Sequence, residues 1–185
     1  MTCKQLCIFG TPRYSPAQLL CHPDEVLAWL DAECTPGLTL HFAASPAGLR
    51  AVAFAPASPP DGDPSPSHPI LREAVRQLRA YFDGALRQFT IPLDLRGTPF
   101  QLRVWRELET IPFGECRTYS DIAQAIGAPR AVRAVGAANG ANPVAIVVPC
   151  HRVIGSSGKL VGYGGGLPLK KRLLELESRD LPLFR

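Results

Sequence analysis

The chain has 185 residues, 46% of them hydrophobic, which is enough to bury the core of one or two small domains. The first residues contain no apolar run long enough for a signal peptide, and no later stretch approaches the roughly 20 apolar residues of a membrane span. We therefore expect no membrane partner and a cytoplasmic location, or a nuclear one if the source is eukaryotic.

The net charge of +4 is unevenly distributed along the chain. Residues 1–95 carry 7 basic and 9 acidic side chains, whereas residues 96–185 carry 13 basic and 7 acidic ones, so the halves have charges of −2 and +6. A basic half fits a polyanionic partner such as nucleic acid, but a scattered excess of this size also occurs on ordinary solubilising surfaces. Charge alone leaves both interpretations open.

Six cysteines in a reducing compartment are explained by burial, metal binding or catalysis rather than by disulfides. Their spacing contains no C-x-x-C pair, which is the commonest zinc signature. Cys3, Cys7, Cys21 and His22 could still converge on a metal ion, but small buried cysteines are common and nothing else marks this site. We therefore predict no metal and no cofactor.

Two short segments predict the strands of a small antiparallel sheet. Residues 38–42 and 49–54 have the composition of strands, and residues 45–48 between them have the composition of a turn. The stretch 56–69 is rich in Pro, Asp and Ser and predicts a surface loop.

Two amphipathic helices are predicted after this loop. Apolar residues recur at helical spacing over residues 70–82 and stop at Gly84, which suits a helix C-cap. A second apolar face runs over residues 100–108. The sequence pattern changes between the two helices, and we therefore predict a domain boundary near residue 95.

A helix-turn-helix is predicted next. Thr118 and Asp121 match the capping box of a helix that ends at Gly127, and Pro129 is well placed to open a second helix that runs to about Asn139. Two helices joined by a short glycine-containing turn form the helix-turn-helix pattern.

The second helix of this pair has unusually small side chains. Arg130 and Arg133 point outward and Val132 and Val135 point inward, and the alanines and glycine that remain, Ala131 and Ala134 among them, leave few bulky groups around the arginines. A slim arginine-bearing helix favours recognition of DNA backbone and shape over the reading of base edges, and suits the narrow minor groove. The alternative is a small-residue helix packed tightly inside the fold.

The apolar run at residues 144–148 predicts a buried strand that ends at Cys150 and His151. Cysteine attacks as the thiolate, so a nearby imidazole that accepts its proton activates it. Neighbours on a strand point to opposite faces, so this pair works only if the chain turns at Pro149 or if water bridges the two side chains. By itself the dipeptide favours the alternative of a buried thiol beside a surface imidazole, and only the surrounding motifs change this interpretation.

These elements together predict an α+β fold with two domains. Residues 1–95 form a supporting domain with a small antiparallel sheet and a helix, and residues 96–185 form a mainly helical domain. The second domain contains the helix-turn-helix and the short strand that leads to the cysteine.

The stretch from about residue 98 to residue 177 resembles the O6-alkylguanine-DNA alkyltransferases, also called methylated-DNA-protein-cysteine methyltransferases. The resemblance is carried by several spaced motifs: Phe100-Gln101, Val104-Trp105, Ile111-Pro112-Phe113-Gly114-Glu115, Thr118-Tyr119, Ala131-Val132-Arg133-Ala134-Val135-Gly136, Asn142-Pro143, Pro149-Cys150-His151-Arg152-Val153 and Gly162-Tyr163. The N-terminal half matches more loosely, and a histidine that binds zinc in some relatives is not evident before residue 98.

The resemblance implies that a damaged guanine is flipped out of the duplex and that its O6-alkyl group passes irreversibly to Cys150. It implies that His151 is a water-linked base, oriented by Glu177, and that Asn142 helps to hold this network. Tyr119 would supply a proton toward the leaving guanine. One protein molecule would then repair one lesion.

The same resemblance assigns the contacts with DNA and with the base. Arg133 would fill the gap left in the base stack. The residues placed on DNA are Tyr119, Arg130, Ala131, Arg133 and Ala134, and those placed around the substrate pocket are Val153, Tyr163, Gly164 and Gly165. The run of three glycines from Gly164 departs from some relatives and suggests an open or mobile wall that admits larger alkyl groups.

The expected partner is double-stranded DNA that contains O6-alkylguanine, with O4-alkylthymine as a further candidate substrate, and the expected state is a monomer. A rival hypothesis is a helix-turn-helix module that binds alkylated DNA without transfer, although such proteins lack the acceptor cysteine. A transcriptional regulator and a cysteine hydrolase are weaker alternatives.

Overall fold

The computed structural model describes residues 27–54 and 64–178. The cysteines and histidine considered for a metal site, at positions 3, 7, 21 and 22, lie outside the described residues, as do residues 56–63 of the predicted loop. Within the described part, the α+β architecture predicted from the sequence is confirmed. No helix in the two described ranges has the length and apolar character needed to cross a membrane.

A three-stranded antiparallel sheet forms most of the first half, with β1 (Ala28–Thr35), β2 (Leu38–Ser45) and β3 (Gly48–Phe54) side by side in that order. The predicted hairpin is confirmed as β2 and β3. The sequence prediction missed β1, because its burial does not alternate cleanly along the strand. A turn at Pro36 and Gly37, where Gly37 has a φ of +77°, joins β1 to β2.

The predicted first helix is confirmed as α1 (Pro69–Phe82), which packs against all three strands. Its buried face consists of Leu71, Ala74, Gln77, Leu78 and Tyr81. Gly84, just beyond the helix, has a φ of +76°, a conformation that glycine adopts at low cost after a helix C-terminus.

As far as residue 178, the second half contains four α-helices and two short paired strands. They are α2 (Pro99–Glu109), β4 (Arg117–Thr118), α3 (Tyr119–Ala125), α4 (Val132–Gly140), β5 (Val153–Ile154) and α5 (Leu167–Ser178). The Thr118–Asp121 capping box at the start of α3 is confirmed, and Thr98 with Gln101 forms a second one at α2. β4 and β5 pair in parallel and anchor the chain directly after Cys150.

The second helix of the helix-turn-helix begins later than predicted. Ala131 N–H donates to the carbonyl of Ala128 at 2.8 Å, which closes a β-turn with Pro129 at its second position. The fixed φ of proline suits this position, so Pro129 shapes the turn instead of opening the helix. Arg130 therefore lies in the turn, and α4 starts at Val132.

The strand predicted at residues 144–148 is wrong, although all five residues are buried. Val52 forms an isolated parallel bridge with Val144, in which the Val52 N–H donates to the carbonyl of Pro143 at 3.0 Å and the Val52 carbonyl accepts from the Ala145 N–H at 3.0 Å. The chain then reverses at Ile146, whose φ of +72° is left-handed and unusual for a β-branched residue. Val148 N–H donates back to Val144 at 3.0 Å, so the segment is a tight turn.

One hydrophobic core extends through both halves of the described chain. Backbone hydrogen bonds link Leu49 of β3 to Pro92 at 2.8 Å and to Asp94 at 3.0 Å. Within the second half, the indole N–H of Trp105 donates to the carbonyl of Ala138 at 2.8 Å and joins α2 to α4. The division into domains near residue 95 stays a prediction.

We expect Gly48→Ala to lower the free energy of unfolding by about 1–3 kcal/mol, the usual cost of overpacking. A Cβ atom at Gly48 would lie 2.7 Å from the Pro92 carbonyl oxygen and 2.9 Å from the Asp94 nitrogen, both backbone atoms. Urea unfolding measures the change. Gly140→Ala is the control, since a Cβ atom there meets nothing within 4 Å. Equal stability of the two variants would contradict the close approach at Gly48.

Candidate active site

The chain turns immediately before Cys150, as the sequence analysis required for a working cysteine–histidine pair. Pro149 has φ −81° and ψ 60°, and residues Cys150–Arg152 form a short 3-10 turn. β5 follows directly and pairs with β4. The turn releases both side chains from the alternation of a strand, so that they need not point to opposite faces.

Cys150 is buried, with 5% of its surface exposed, and burial raises the pKa of its thiol. A hydrogen bond from the Asn142 side chain, the charge of Lys170 and the backbone amides of Cys150 and Ile146 oppose this rise. The left-handed turn at Ile146 thus has a role, because it aims a backbone N–H group at the sulfur. The thiol is neutral at rest but is surrounded by groups that stabilise a thiolate.

Asn142 shapes this turn as well as contacting the sulfur. Its Nδ2 donates to the carbonyl of Val148 at 2.8 Å, and its Oδ1 accepts from the backbone of Val144 at 3.0 Å. The side chain therefore closes the turn from residue 144 to residue 148 and places it against Cys150.

His151 and Glu177 are both buried, and Nε2 of His151 lies 2.9 Å from a Glu177 carboxylate oxygen. Since the carboxylate can only accept, we assign the ring proton to Nε2, which leaves Nδ1 as an acceptor. Nδ1 is buried and has no hydrogen-bond partner among the described residues. The histidine therefore keeps one nitrogen free to take a proton.

Glu177 accepts hydrogen bonds from four residues. Besides His151, Arg152 donates twice, from Nε at 2.8 Å and from Nη2 at 2.9 Å. The Tyr81 hydroxyl donates at 2.8 Å, and the backbone N–H of Gly114 donates at 3.2 Å. Burial opposes ionisation of Glu177, but the hydrogen bonds from His151 and Arg152 outweigh it and lower its pKa to about 2.

The pKa of His151 is lowered, mainly by burial. Glu177 alone would raise it, but the positive charges of Arg152 and Lys170 act in the opposite direction. Arg152 therefore offsets the carboxylate, and the imidazole stays neutral near pH 7. A neutral imidazole is the form that can act as a base.

Two tyrosines lie within electrostatic range of Cys150. Tyr119 opens α3, and burial together with the negative charge of a Cys150 thiolate raises its pKa. The pKa of Tyr163 is raised by the same two causes, burial being the larger, and its hydroxyl is buried without a partner among the described residues. The Tyr163 ring stands edge-on to the His151 ring at 6.4 Å.

The segment that follows Cys150 is held in place by a buried lysine. Lys170 Nζ donates to the carbonyl of Val153 at 2.6 Å and to that of Val161 at 2.8 Å. Burial lowers the pKa of Lys170, and the negative charges of ionised Cys150 and Cys116 oppose this. Lys170 thus ties Val153, which follows the Cys150 turn, to Val161, which lies two residues before Tyr163.

Three of the five predicted DNA-binding residues are exposed on the helix-turn-helix. Arg133 and Ala134 are exposed on α4, Arg130 is exposed in the preceding turn, and Ala131 is partly buried. The small residues of α4 let the helix backbone pack close to Tyr119, since a Cβ atom built at Gly136 would lie 3.9 Å from the Tyr119 ring. Tyr119 thus lies close to α4 and is also near enough to Cys150 for the thiolate charge to affect its pKa.

The sequence analysis assigned no role to three residues of the site: Tyr81, Arg152 and Lys170. Lys170, Leu173 and Glu177 recur at helical spacing and are the buried residues of α5. Two charged residues on the same face as a leucine could therefore have indicated a buried charged cluster from the sequence. Tyr81 has no such signal, because its partner Glu177 is 96 residues away in sequence. Within the described residues, no three His, Cys, Asp or Glu side chains are grouped to bind a metal.

Comparison with known proteins assigns both halves of the chain to one family. The DNA-binding domain of 6-O-methylguanine DNA methyltransferase matches residues 99–179, and the ribonuclease-like domain of the same family matches residues 39–95. The chain belongs to the methylated-DNA–protein-cysteine methyltransferase family.

Individual relatives agree with this assignment. The methylated-DNA–protein-cysteine methyltransferase of Mycolicibacterium paratuberculosis is 68% identical over 109 residues, which span 59% of this chain and 66% of that protein. The crystal structure of Mycobacterium tuberculosis O6-methylguanine methyltransferase is 48% identical, covers 85% of this chain and 96% of its own, and has a TM-score of 0.76. The crystal structure of Mycobacterium tuberculosis OGT in complex with DNA is 49% identical, covers 81% of this chain and 92% of its own, and has a TM-score of 0.71.

We expect Glu177 to make stability depend on pH in the acid range. Its pKa of about 2 lies below the ordinary value of 4.5, so its contribution is present above pH 4.5 and is lost as the pH falls toward 2. Urea unfolding should therefore show that the free energy of unfolding falls less steeply with decreasing pH in Glu177→Gln than in wild type. The variant is already less stable at neutral pH, because Arg152 loses its charged partner. Glu175→Gln, an exposed carboxylate on the same helix, is the control. Equal slopes for wild type and Glu177→Gln would contradict the assignment.

Proposed function

We propose that this protein repairs DNA by direct reversal of damage, transferring the alkyl group of O6-alkylguanine to Cys150. The observation that carries the proposal is the buried Cys150 thiol surrounded by Asn142, the His151–Glu177 pair and Tyr119, in a chain of the methyltransferase family. The roles of the individual residues belong to this proposal.

Activation of the thiol uses the free nitrogen of His151. Cys150 gives its proton, through a bridging water molecule, to Nδ1, while Nε2 remains bonded to Glu177. Arg152 keeps the carboxylate ionised and cancels much of its effect on the imidazole, so His151 is neutral before transfer. Asn142 and the amide of Ile146 stabilise the thiolate that results.

Transfer forms a carbon–sulfur bond and breaks the bond between the alkyl carbon and O6 of guanine. The electron pair stays on the guanine, which takes a proton from the Tyr119 hydroxyl. Burial and, to a smaller extent, the charge of the Cys150 thiolate raise the pKa of Tyr119, so the tyrosine retains its proton before transfer. Alkylation removes the negative charge from sulfur and with it this contribution, so Tyr119 becomes a better donor as the guanine needs a proton.

The reaction consumes the protein. The product is a thioether, which has no hydrolytic route back to a thiol, so each chain acts once. A module that binds alkylated DNA without transfer is the second candidate, and the buried acceptor cysteine favours transfer over it. A monomeric state and a cytoplasmic location, where the acceptor thiol stays reduced, complete the proposal.

DNA binding is proposed for the helix-turn-helix face. Mycobacterium tuberculosis OGT has been crystallised with DNA, and it shares 49% identity with this chain. We place α4 in a groove with Arg133 filling the space of the flipped base, and Arg130 against a phosphate from the preceding turn. The exposed position of both arginines and the small side chains of Ala131 and Ala134 beside them support this placement.

Intact-mass spectrometry tests the transfer. Incubation with O6-methylguanine DNA should add one methylene group, about 14 Da, once per chain and at Cys150. Cys150→Ser should abolish the added mass while DNA binding persists, and Cys116→Ser, which removes an exposed thiol, is the matched control that should still transfer. No added mass on wild type, or repeated turnover at one cysteine, would reject the proposal.

The two arginines should differ in their effects. Arg133→Ala should slow transfer by about ten- to a hundredfold even on saturating DNA, because the flipped state loses its support. Arg130→Ala should lower affinity and reduce the salt dependence of binding, with little effect at saturation. Arg72→Ala, an exposed arginine on α1, controls for net charge. A transfer rate equal to that of wild type in Arg133→Ala would show that Arg133 does not fill the gap left by the flipped base.

A further inference from the structure

Phe54, the last residue of β3, contacts the segment that borders the proposed substrate pocket. Its ring centroid lies 5.4 Å from that of Tyr163, with the two rings inclined at 59°. Phe54 belongs to the sheet of the first half, whereas Tyr163 follows Cys150 in the second half. The contact therefore joins the supporting sheet to the reactive region.

The glycines after Tyr163 lie directly against the same ring. A Cβ atom at Gly165 would lie 3.1 Å from two Phe54 ring carbons and 2.6 Å from Cδ2 of Leu169, and one at Gly164 would lie 3.8 Å from the Phe54 ring. Glycine permits this approach because it has no side chain. The Phe54 ring thus packs against the three-glycine run. The sequence alone suggested that these glycines form an open or mobile pocket wall, but this contact restricts their movement.

Tyr163 lies between Phe54 and the reacting groups. Its ring contacts Phe54 and is also edge-on to the His151 ring, with the ring centroids 6.4 Å apart. The charge of the Cys150 thiolate reaches its buried hydroxyl, which has no partner among the described residues. A shift of the Phe54 ring would therefore move Tyr163 relative to Cys150.

We infer that Phe54 is a positioning residue that limits the size of the alkyl group transferred to Cys150, acting through Tyr163 and the Gly164–Gly165 wall. The inference rests on the proposed alkyl transfer. Interiors are close-packed, so removal of the ring lets the wall withdraw and gives room to large adducts. A small adduct is held less precisely at the same time. Both effects therefore raise the rate of transfer of a large alkyl group relative to that of a small one.

The test compares rate constants for O6-benzylguanine and O6-methylguanine placed in the same duplex. Phe54→Ala should raise the benzyl-to-methyl ratio about tenfold, in the range that one or two methylene groups are worth in an apolar pocket, and Phe54→Leu should raise it less. Ile70→Ala is the control, since Ile70 also packs on the core from the first half but belongs to α1. Its ratio should equal that of wild type.

A purely structural role for Phe54 predicts that both rates fall together, and an unchanged or lower ratio in a folded variant overturns the inference. If Phe54→Ala does not fold, Phe54→Leu decides the question alone. Failure of the proposed function is distinguishable, because wild type would then transfer neither group. A double-mutant cycle adds a second readout: Gly165→Ala should slow methyl transfer more in wild type than in the Phe54→Ala background, where the ring contact is gone.

Discussion

The buried carboxylate of Glu177 is the group on which the rest of the structure depends. A buried charge is stable only when it is paired and hydrogen-bonded, and Glu177 meets this condition with donors from four residues. Tyr81 comes from the helix of the first half, Gly114 from the connection between α2 and β4, and Arg152 and His151 from the turn at the cysteine. One side chain thus fixes the relative positions of α1, α5 and the Cys150 turn.

The composition of this cluster also determines its chemistry. A histidine next to a carboxylate alone tends to be protonated, which would prevent it from accepting the thiol proton. Arg152 occupies both carboxylate oxygens and supplies the opposite charge, so burial dominates and the imidazole stays neutral. Lys170 adds a second buried positive charge, which favours the thiolate of Cys150. The buried charges therefore stabilise the fold and prepare the cysteine with the same contacts.

The elements that the sequence predicts well are those specified by local rules. Helices α1, α2 and α3 follow from apolar spacing and from capping residues such as Thr118, which lie close together in the chain. The turn at Ile146 could not be predicted, because a run of β-branched residues favours a strand and only packing against Val52 and closure by Asn142 reverse it. Similarly, the motifs around Cys150 led to His151 and Glu177, whereas Tyr81 requires knowledge of a contact between distant helices.

The shared core has a consequence for how such a protein can change over evolution. The first half contains none of the proposed reacting groups, yet its Tyr81 contacts the Glu177 carboxylate and its Val52 pairs with the turn before Cys150. Substitutions at exposed positions of the sheet leave these two contacts in place, whereas substitutions at Tyr81 or Val52 change the surroundings of a cysteine in the other half. Selection for repair therefore acts on the first half through a few buried positions, and sequence divergence there is compatible with an unchanged reaction.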